Sequence, residues 1–367
     1  MFKMKAIKKF IALSLGLALV ASLTGCLHKK DEIAVTIGDV EFTSAYYMCA
    51  LINAKAEAQQ EVSNGDSLTD EETAGTVEID YFSKKIDNKS FTEWTEARAI
   101  EILTDIAAYK MLCKENSLEL DEEQKKNIEN TVAYYWDTYG YSSYFEPNGV
   151  SRDTYKQYSE DSYLSQLYFD YLYGKEGTKA LKTEDVNTEI TDNYILVDQL
   201  SITYASGATD EDKANDKKTL ENYANDIKSG KKSFIEIYKT HNEIEDGENT
   251  EEDSEELVPI NTYASVLGNT GTSFESDDFN TYKQYETDVP QVIENSDKTG
   301  VVLVIKRKLS DDAYFMDYLD NYARHSLADE DFEKEVSDYS DKLDTDINKY
   351  AVGQFKVKNI TEPETTN

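Results

Sequence analysis

The chain has 367 residues, 30% of them charged, and 73 acidic against 38 basic side chains give a net charge of -35 at pH 7. That balance excludes nucleic acid as a partner, because phosphate binding needs clustered Lys and Arg, and it favours cationic segments of other proteins. The three histidines, His28, His241 and His325, have no paired spacing, which argues against a zinc site.

The first residues, MFKMKAIKKFIALSLGLALVASLTGC, carry Lys3, Lys5, Lys8 and Lys9, then an apolar run from Phe10 to Ala21. This is the pattern of an export signal, too short for a comfortable transmembrane span. Leu23, Thr24, Gly25 and Cys26 resemble the bacterial lipobox, which implies cleavage after residue 25 and a lipid on Cys26; the alternative is a secreted chain cut nearby. Two acyl chains on one residue hold a protein stably on a membrane surface. Losing four lysines and no acid moves the net charge from -35 to about -39.

Beyond Cys26 the chain is long enough for two or three domains. Ala34 to Ile37 and Val40 to Phe42 predict a strand pair turning at Gly38-Asp39, after which Thr43 or Ser44 caps a helix. The polar stretch 63–90 predicts a long loop or an insertion. From Glu93 a helix follows, with Ile100, Leu103, Ala107 and Met111 on one stripe and Ile102, Ile106 and Cys113 beside it. Asp121 starts the next helix and Gly140 is expected to stop it. Ser151 caps a further helix with Leu164, Leu167, Tyr168, Tyr171 and Leu172 on one side. Cys49 and Cys113 fall inside helices and are expected to be small buried hydrophobes.

Thr183 opens a helix with an incomplete capping box, and VDQLSITY, 197–204, predicts a strand. Helices at 210–228 and 233–240 precede the acid-rich segment 242–256, which lacks the order of a calcium loop and predicts a solvated excursion. GVVLVIKRK, 300–308, predicts a buried strand, 310–350 long helical structure, and 354–360 a final strand before a polar tail.

No hydrolase, metalloprotease, P-loop or dinucleotide motif is present, and among 73 acids a carboxylate pair carries no information. The distinctive composition is aromatic. YYWDTYGYSSYF, Tyr134 to Phe145, holds seven aromatic residues in twelve, and Tyr134, Tyr135 and Trp136 suit either the closure of a helical hairpin or a surface gripping varied polypeptide.

In order, AVTIGDVEFT, GVSRDTYKQYSEDSYLSQLYFDYL, LKTEDVNTEITDNY, SGKKSFIEIYKTHNE, SFESDDF, NSDKTGVVLVIKRKL and KYAVGQFKVKNI resemble the PrsA and SurA foldase chaperones over nearly the whole mature chain. The resemblance implies an α+β protein: a helical chaperone module formed by the N- and C-terminal segments, with an inserted small parvulin-like α/β domain. Its implied divisions are signal 1–25, helical module 26–182, parvulin-like domain 183–309, returning helix and strand 310–360, and tail 361–367.

Parvulins of the family that isomerise proline carry a histidine in the first strand, which falls at Ser201 or Leu200, and usually another in the last, at Val302 or Leu303. Neither position is histidine here, and the glycine-rich run after the second helix is replaced by EIEDGENTEEDSEELVPI. Phe274 and Phe279 resemble the aromatic positions of the proline pocket, with core packing as the alternative. His241 matches no catalytic position.

The expected function is therefore a lipid-anchored extracytoplasmic chaperone for exported polypeptides, with no catalytic residue, cofactor or metal implied and the oligomeric state open. Two alternatives remain. One is a working peptidyl-prolyl isomerase with an altered site; the other is a solute-binding lipoprotein of a transporter, which predicts two similar α/β lobes.

Overall fold

The computed structural model describes residues 31–65, 68–73, 75, 77–243, 263–296 and 298–362. The export segment, Cys26, His28, most of the acid-rich segment and the end of the tail lie outside the described residues. The chain is mixed α+β and divides into two compact units, residues 1–172 with 330–367 and residues 173–329. No helix among the described residues is long and apolar enough to cross a membrane.

In the first unit, β1 (Ile33–Ile37) and β2 (Val40–Thr43) form the expected hairpin. Gly38 has φ +53°, and a Cβ there would lie 3.0 Å from the Met111 sulfur, so backbone conformation and crowding both favour glycine. Thr43 then accepts from Tyr46 N at 3.3 Å and caps α1 (Ser44–Asn64), a helix buried along most of its length. Helix α2 (Phe91–Glu115) packs against it.

The segment 63–90 is not one loop, as its composition suggested. It holds the end of α1, a helical turn at Asp70–Thr73 and a tight hairpin of β3 (Lys85–Ile86) and β4 (Lys89–Ser90). Asp87 and Asn88, at φ 52° and 64°, make that hairpin's turn; these are residue types that tolerate the left-handed region. Ser90 and Glu93 form a reciprocal capping box, so α2 starts at Phe91 rather than Glu93.

Helix α3 (Glu122–Asp137) is capped by Asp121 and ends before Gly140, whose φ of +73° instead opens the short helix Tyr141–Phe145. Helix α4 (Arg152–Tyr173) starts where Ser151 accepts from Thr154 N at 3.2 Å. Cys49 and Cys113 are buried free thiols, and burial pushes Cys113 up to about 11.

The second unit begins with Tyr173 and contains α5 (Thr183–Asn193), β5 (Tyr194–Thr203), α6 (Asp210–Lys228), α7 (Phe234–His241), β6 (Ala264–Gly268), β7 (Gln291–Glu294) and β8 (Gly300–Arg307). Their sheet is antiparallel in the order β6-β5-β8-β7. Sequence periodicity marks β5 and β8 only, because ASVLG and QVIE are short and neither carries a sustained apolar pattern. Tyr194, Leu196, Leu200, Val301, Leu303 and Ile305 point to one face and pack with Val186, Leu220, Ile237 and Leu319. Ile195, Val197 and Val304 point to the other, under Phe279 and Tyr282 of a short helix at Phe279–Lys283.

Helix α8 (Ala313–Ser340) contributes residues to both units. The helical structure does not run to residue 350 as expected: it stops at Ser340, and β9 (Thr345–Ile347) pairs with β1, giving the order β2-β1-β9. The run 354–360 is not a strand. It is a turn with a 3-10 segment at Val357–Asn359, and Val357 and Ile360 are buried at the three-residue spacing which that helix aligns.

Candidate functional site

Along α3, Ile128, Val132 and Trp136 recur every four residues and are buried together. That spacing turns Trp136 inward, 4% exposed, where it packs on Phe145 at 6.1 Å and Tyr155 at 5.7 Å between ring centroids. Tyr134 and Tyr135 fall off the buried stripe and stand out with Tyr139, at 53%, 37% and 62% exposure. Their rings contact one another at 5.2 to 5.9 Å. The aromatic run thus has an inner part that closes the fold and an outer part on the surface.

Two cavities open beside this cluster, one of about 340 Å³ between α3 and α4 and one of about 460 Å³ along α4; they share Tyr155, Ser159 and Tyr163. The first is lined further by Gln124, Asn127, Ile128, Thr131, Val132 and Tyr135. The second adds Asn53, Tyr158, Ser162, Ser165 and Gln166. No lining residue is charged, in a chain whose residues are 30% charged. The ion pair Lys156–Glu129, 3.1 Å, joins the two helices.

The polar atoms of this groove include both acceptors and donors. The hydroxyls of Ser159, Ser162 and Ser165 donate to the Tyr155, Tyr158 and Ser162 carbonyls at 2.8 to 3.0 Å, which leaves their oxygen lone pairs available. The Tyr158 phenol oxygen accepts from Asn53 Nδ2 at 2.9 Å. Burial pushes the Tyr155 phenol up to about 12 and raises Tyr163, so both stay neutral near pH 7. The groove is therefore uncharged, ring-lined and furnished with neutral hydrogen-bonding groups.

The second unit is organised differently. Ser201 lies opposite Val302, and Leu200 opposite Leu303, across β5 and β8. Ile293 of β7 continues the Ser201–Val302 row. Ser201 is exposed, and no titratable side chain stands in that row. Gln199, two residues away on the same sheet face, donates to Ser265 Oγ at 3.0 Å.

Phe274 and Phe279 do not meet in one pocket. Phe274 packs with Tyr194 and Tyr322, at 6.0 and 5.0 Å, on the helix-covered face, whereas Phe279 is buried against Ile195, Val197 and Val304 on the opposite face. His241, at the end of α7, packs edge-on against Tyr223 at 5.9 Å.

One polar centre was not anticipated from the sequence. Asp198 sits in β5 with its carboxyl pushed up to about 6, mainly by burial and against the opposing pull of Arg307. Arg307 lies 3.6 Å from its Oδ1, longer than a hydrogen bond, and pairs more closely with Asp312 at 3.1 Å. The only available signal was a carboxylate inside the apolar run YILVDQL. No group of His, Cys, Asp and Glu among the described residues is arranged to hold a metal ion.

No family model matches the chain, and no curated protein matches it. Thirteen chains of solved structures do. Foldase protein PrsA from Lactococcus lactis is 11% identical, with 89% of this chain and 99% of that chain covered and a TM-score of 0.36. Foldase protein PrsA from Streptococcus pneumoniae is 14% identical over 77% and 95% of the two chains, at 0.34. PrsA from Bacillus subtilis is 13% identical over 70% and 89%, at 0.32, so all three likenesses are distant.

Proposed function

We propose that this protein is a lipid-anchored extracytoplasmic chaperone that holds exported polypeptides in the uncharged groove between α3 and α4. The observation that carries this reading is the lining of that groove: tyrosine, serine and side-chain amides without a single ionised group. Tyrosine gives large contact area at low entropic cost and tolerates varied partners. The free lone pairs of the serine and tyrosine oxygens suit the main-chain N–H groups of an extended segment, which occur in every sequence. The sequence resemblance to foldases and the lipobox-like Cys26 motif support the same reading, and with it an anchor on the outer face of the membrane.

The α/β unit, proposed as the parvulin-like domain, then braces or binds rather than catalyses. Rotation about a prolyl bond is accelerated by polar groups that favour the twisted amide in a dry pocket. The row Ser201, Val302, Ile293 offers one exposed hydroxyl, at its β5 end, followed by two aliphatic side chains.

The test is aggregation suppression by the full mature protein with several unfolded clients, compared with a Tyr135→Ser/Tyr163→Ser variant. Suppression by the wild type that falls in the variant, at unchanged melting temperature, supports the reading. No suppression of any client would remove it.

A further inference from the structure

Helix α1 is buried along most of its length, and Lys55 lies in that stretch with a side chain only 5% exposed, between the fully buried Ala54 and Ala58. An ammonium removed from water is costly unless an anion meets it. The anion comes from the far end of the chain: Glu362 Oε1 forms an ion pair with Lys55 Nζ. The Tyr144 phenol stands by the same carboxylate, and burial with that negative charge raises its pKa.

One residue earlier, Asn148 holds the main chain of Thr361 with both halves of its amide. Its Nδ2 donates to Thr361 O at 2.9 Å, and its Oδ1 accepts from Thr361 N at 2.8 Å. The second Nδ2 hydrogen goes to Tyr144 O at 2.7 Å. Asn148 is 8% exposed, so this amide is committed to the contact rather than shared with solvent.

Together these groups read a peptide in two ways. The amide fork takes the N–H and C=O of any residue, and the buried ammonium with the phenol takes a carboxylate on the next. We propose that Lys55, Tyr144 and Asn148 form a binding site for an extended acidic peptide segment, filled in this chain by Thr361–Glu362 and able to accept a carboxylate from another molecule when that segment withdraws. Val357 and Ile360 are buried in the core just before it. The segment can therefore leave the site from Thr361 onward while its apolar anchors stay packed.

Chemical rescue tests the proposal in the full chain. Glu362→Ala should lower the melting temperature by several degrees, and sodium acetate should restore it saturably where sodium chloride at equal ionic strength does not. Lys55→Met, which replaces the ammonium by a side chain of similar volume, should abolish both the penalty of Glu362→Ala and the acetate effect. A chain ending at Ile360 should bind the peptide acetyl-Thr-Glu-Pro-Glu-Thr-Thr-Asn, at least ~10-fold more tightly than its Thr-Gln counterpart, as expected when a buried charge loses its partner. If Glu362→Ala melts like the wild type, or if acetate acts no better than chloride, the contact is only a chain-end anchor and the proposal fails. Equal binding of the two peptides would also overturn it. Should Glu362→Ala not fold, Glu362→Gln gives the same readout.

Discussion

Ser201 and Val302 face one another across β5 and β8, so two positions at which the proposed parvulin resemblance would place histidines are cross-strand neighbours. Neither side chain titrates, and Ile293 completes the row with a third group that does not. Proline-limited refolding of a reporter protein should therefore proceed at the same rate with and without the full mature protein. A clear acceleration, abolished by Ser201→Ala, would restore the isomerase reading.

The uncharged groove gives a prediction of opposite design, in which a charge is added. Ser159 lines both cavities. Ser159→Asp would place a carboxylate where a bound segment must displace its water, and burying an uncompensated charge is unfavourable. Client affinity should fall at least ~10-fold, about 1.4 kcal/mol. The exposed Ser206→Asp carries the same charge change away from the groove and should leave affinity unaltered. Equal losses in both variants would point to general repulsion rather than to the groove.

What the sequence made legible follows from the range of the signal. Caps and short periodicities are local, so the starts of α3 and α4, the β1–β2 turn and the positions of β5 and β8 could be found. β6 and β7 could not, because their burial comes from neighbours distant in sequence. The same limit applies to the sites. Tyr134 and Tyr135 stand out in the sequence, whereas the neutral faces of α3 and α4 become a groove only when the helices pack. Phe274 and Phe279 are five residues apart, yet the intervening turn sends them to opposite faces of the sheet. The returning strand was misplaced because alternation at Phe355 and Val357 mimics a strand, while the pairing partner of β1 is the less apolar Thr345–Ile347.

The aromatic run also predicts a contrast in stability. Trp136 is buried among Phe145 and Tyr155, while Tyr139, three residues on, is largely exposed. Trp136→Ala should cost about 3–5 kcal/mol, as for other buried aromatic truncations. Tyr139→Ala should stay within about 0.5 kcal/mol. Chemical denaturation of the two variants separates the structural ring from the surface ring. A large loss in Tyr139→Ala would show that the outer tyrosines hold the fold as well.

Asp198 supplies the pH dependence. Its carboxyl is pushed up to about 6 by burial, above the ordinary 3.8, with Asp288 and Asp312 adding to the rise and Arg307 opposing it; Tyr263 also faces it. A folded-state pKa above the unfolded one means that the protonated form is favoured by folding. Its contribution to stability is full below the unfolded pKa and is lost as pH rises through about 6. At pH 7.5 the ionised group opposes the fold by an amount on the order of 3 kcal/mol at most, since a tenfold change in proton affinity corresponds to about 1.4 kcal/mol. Asp198→Asn should accordingly raise the melting temperature at pH 7.5, and the gain over wild type should shrink toward pH 4, while Arg307 keeps Asp312 at 3.1 Å. Parallel melts between pH 4 and 8 measure that difference directly, and the wild-type comparison cancels the general effect of the chain's net charge of -35. A variant less stable than wild type at pH 7.5 would mean that the Arg307 attraction outweighs desolvation and that Asp198 is a stabilising ion-pair partner.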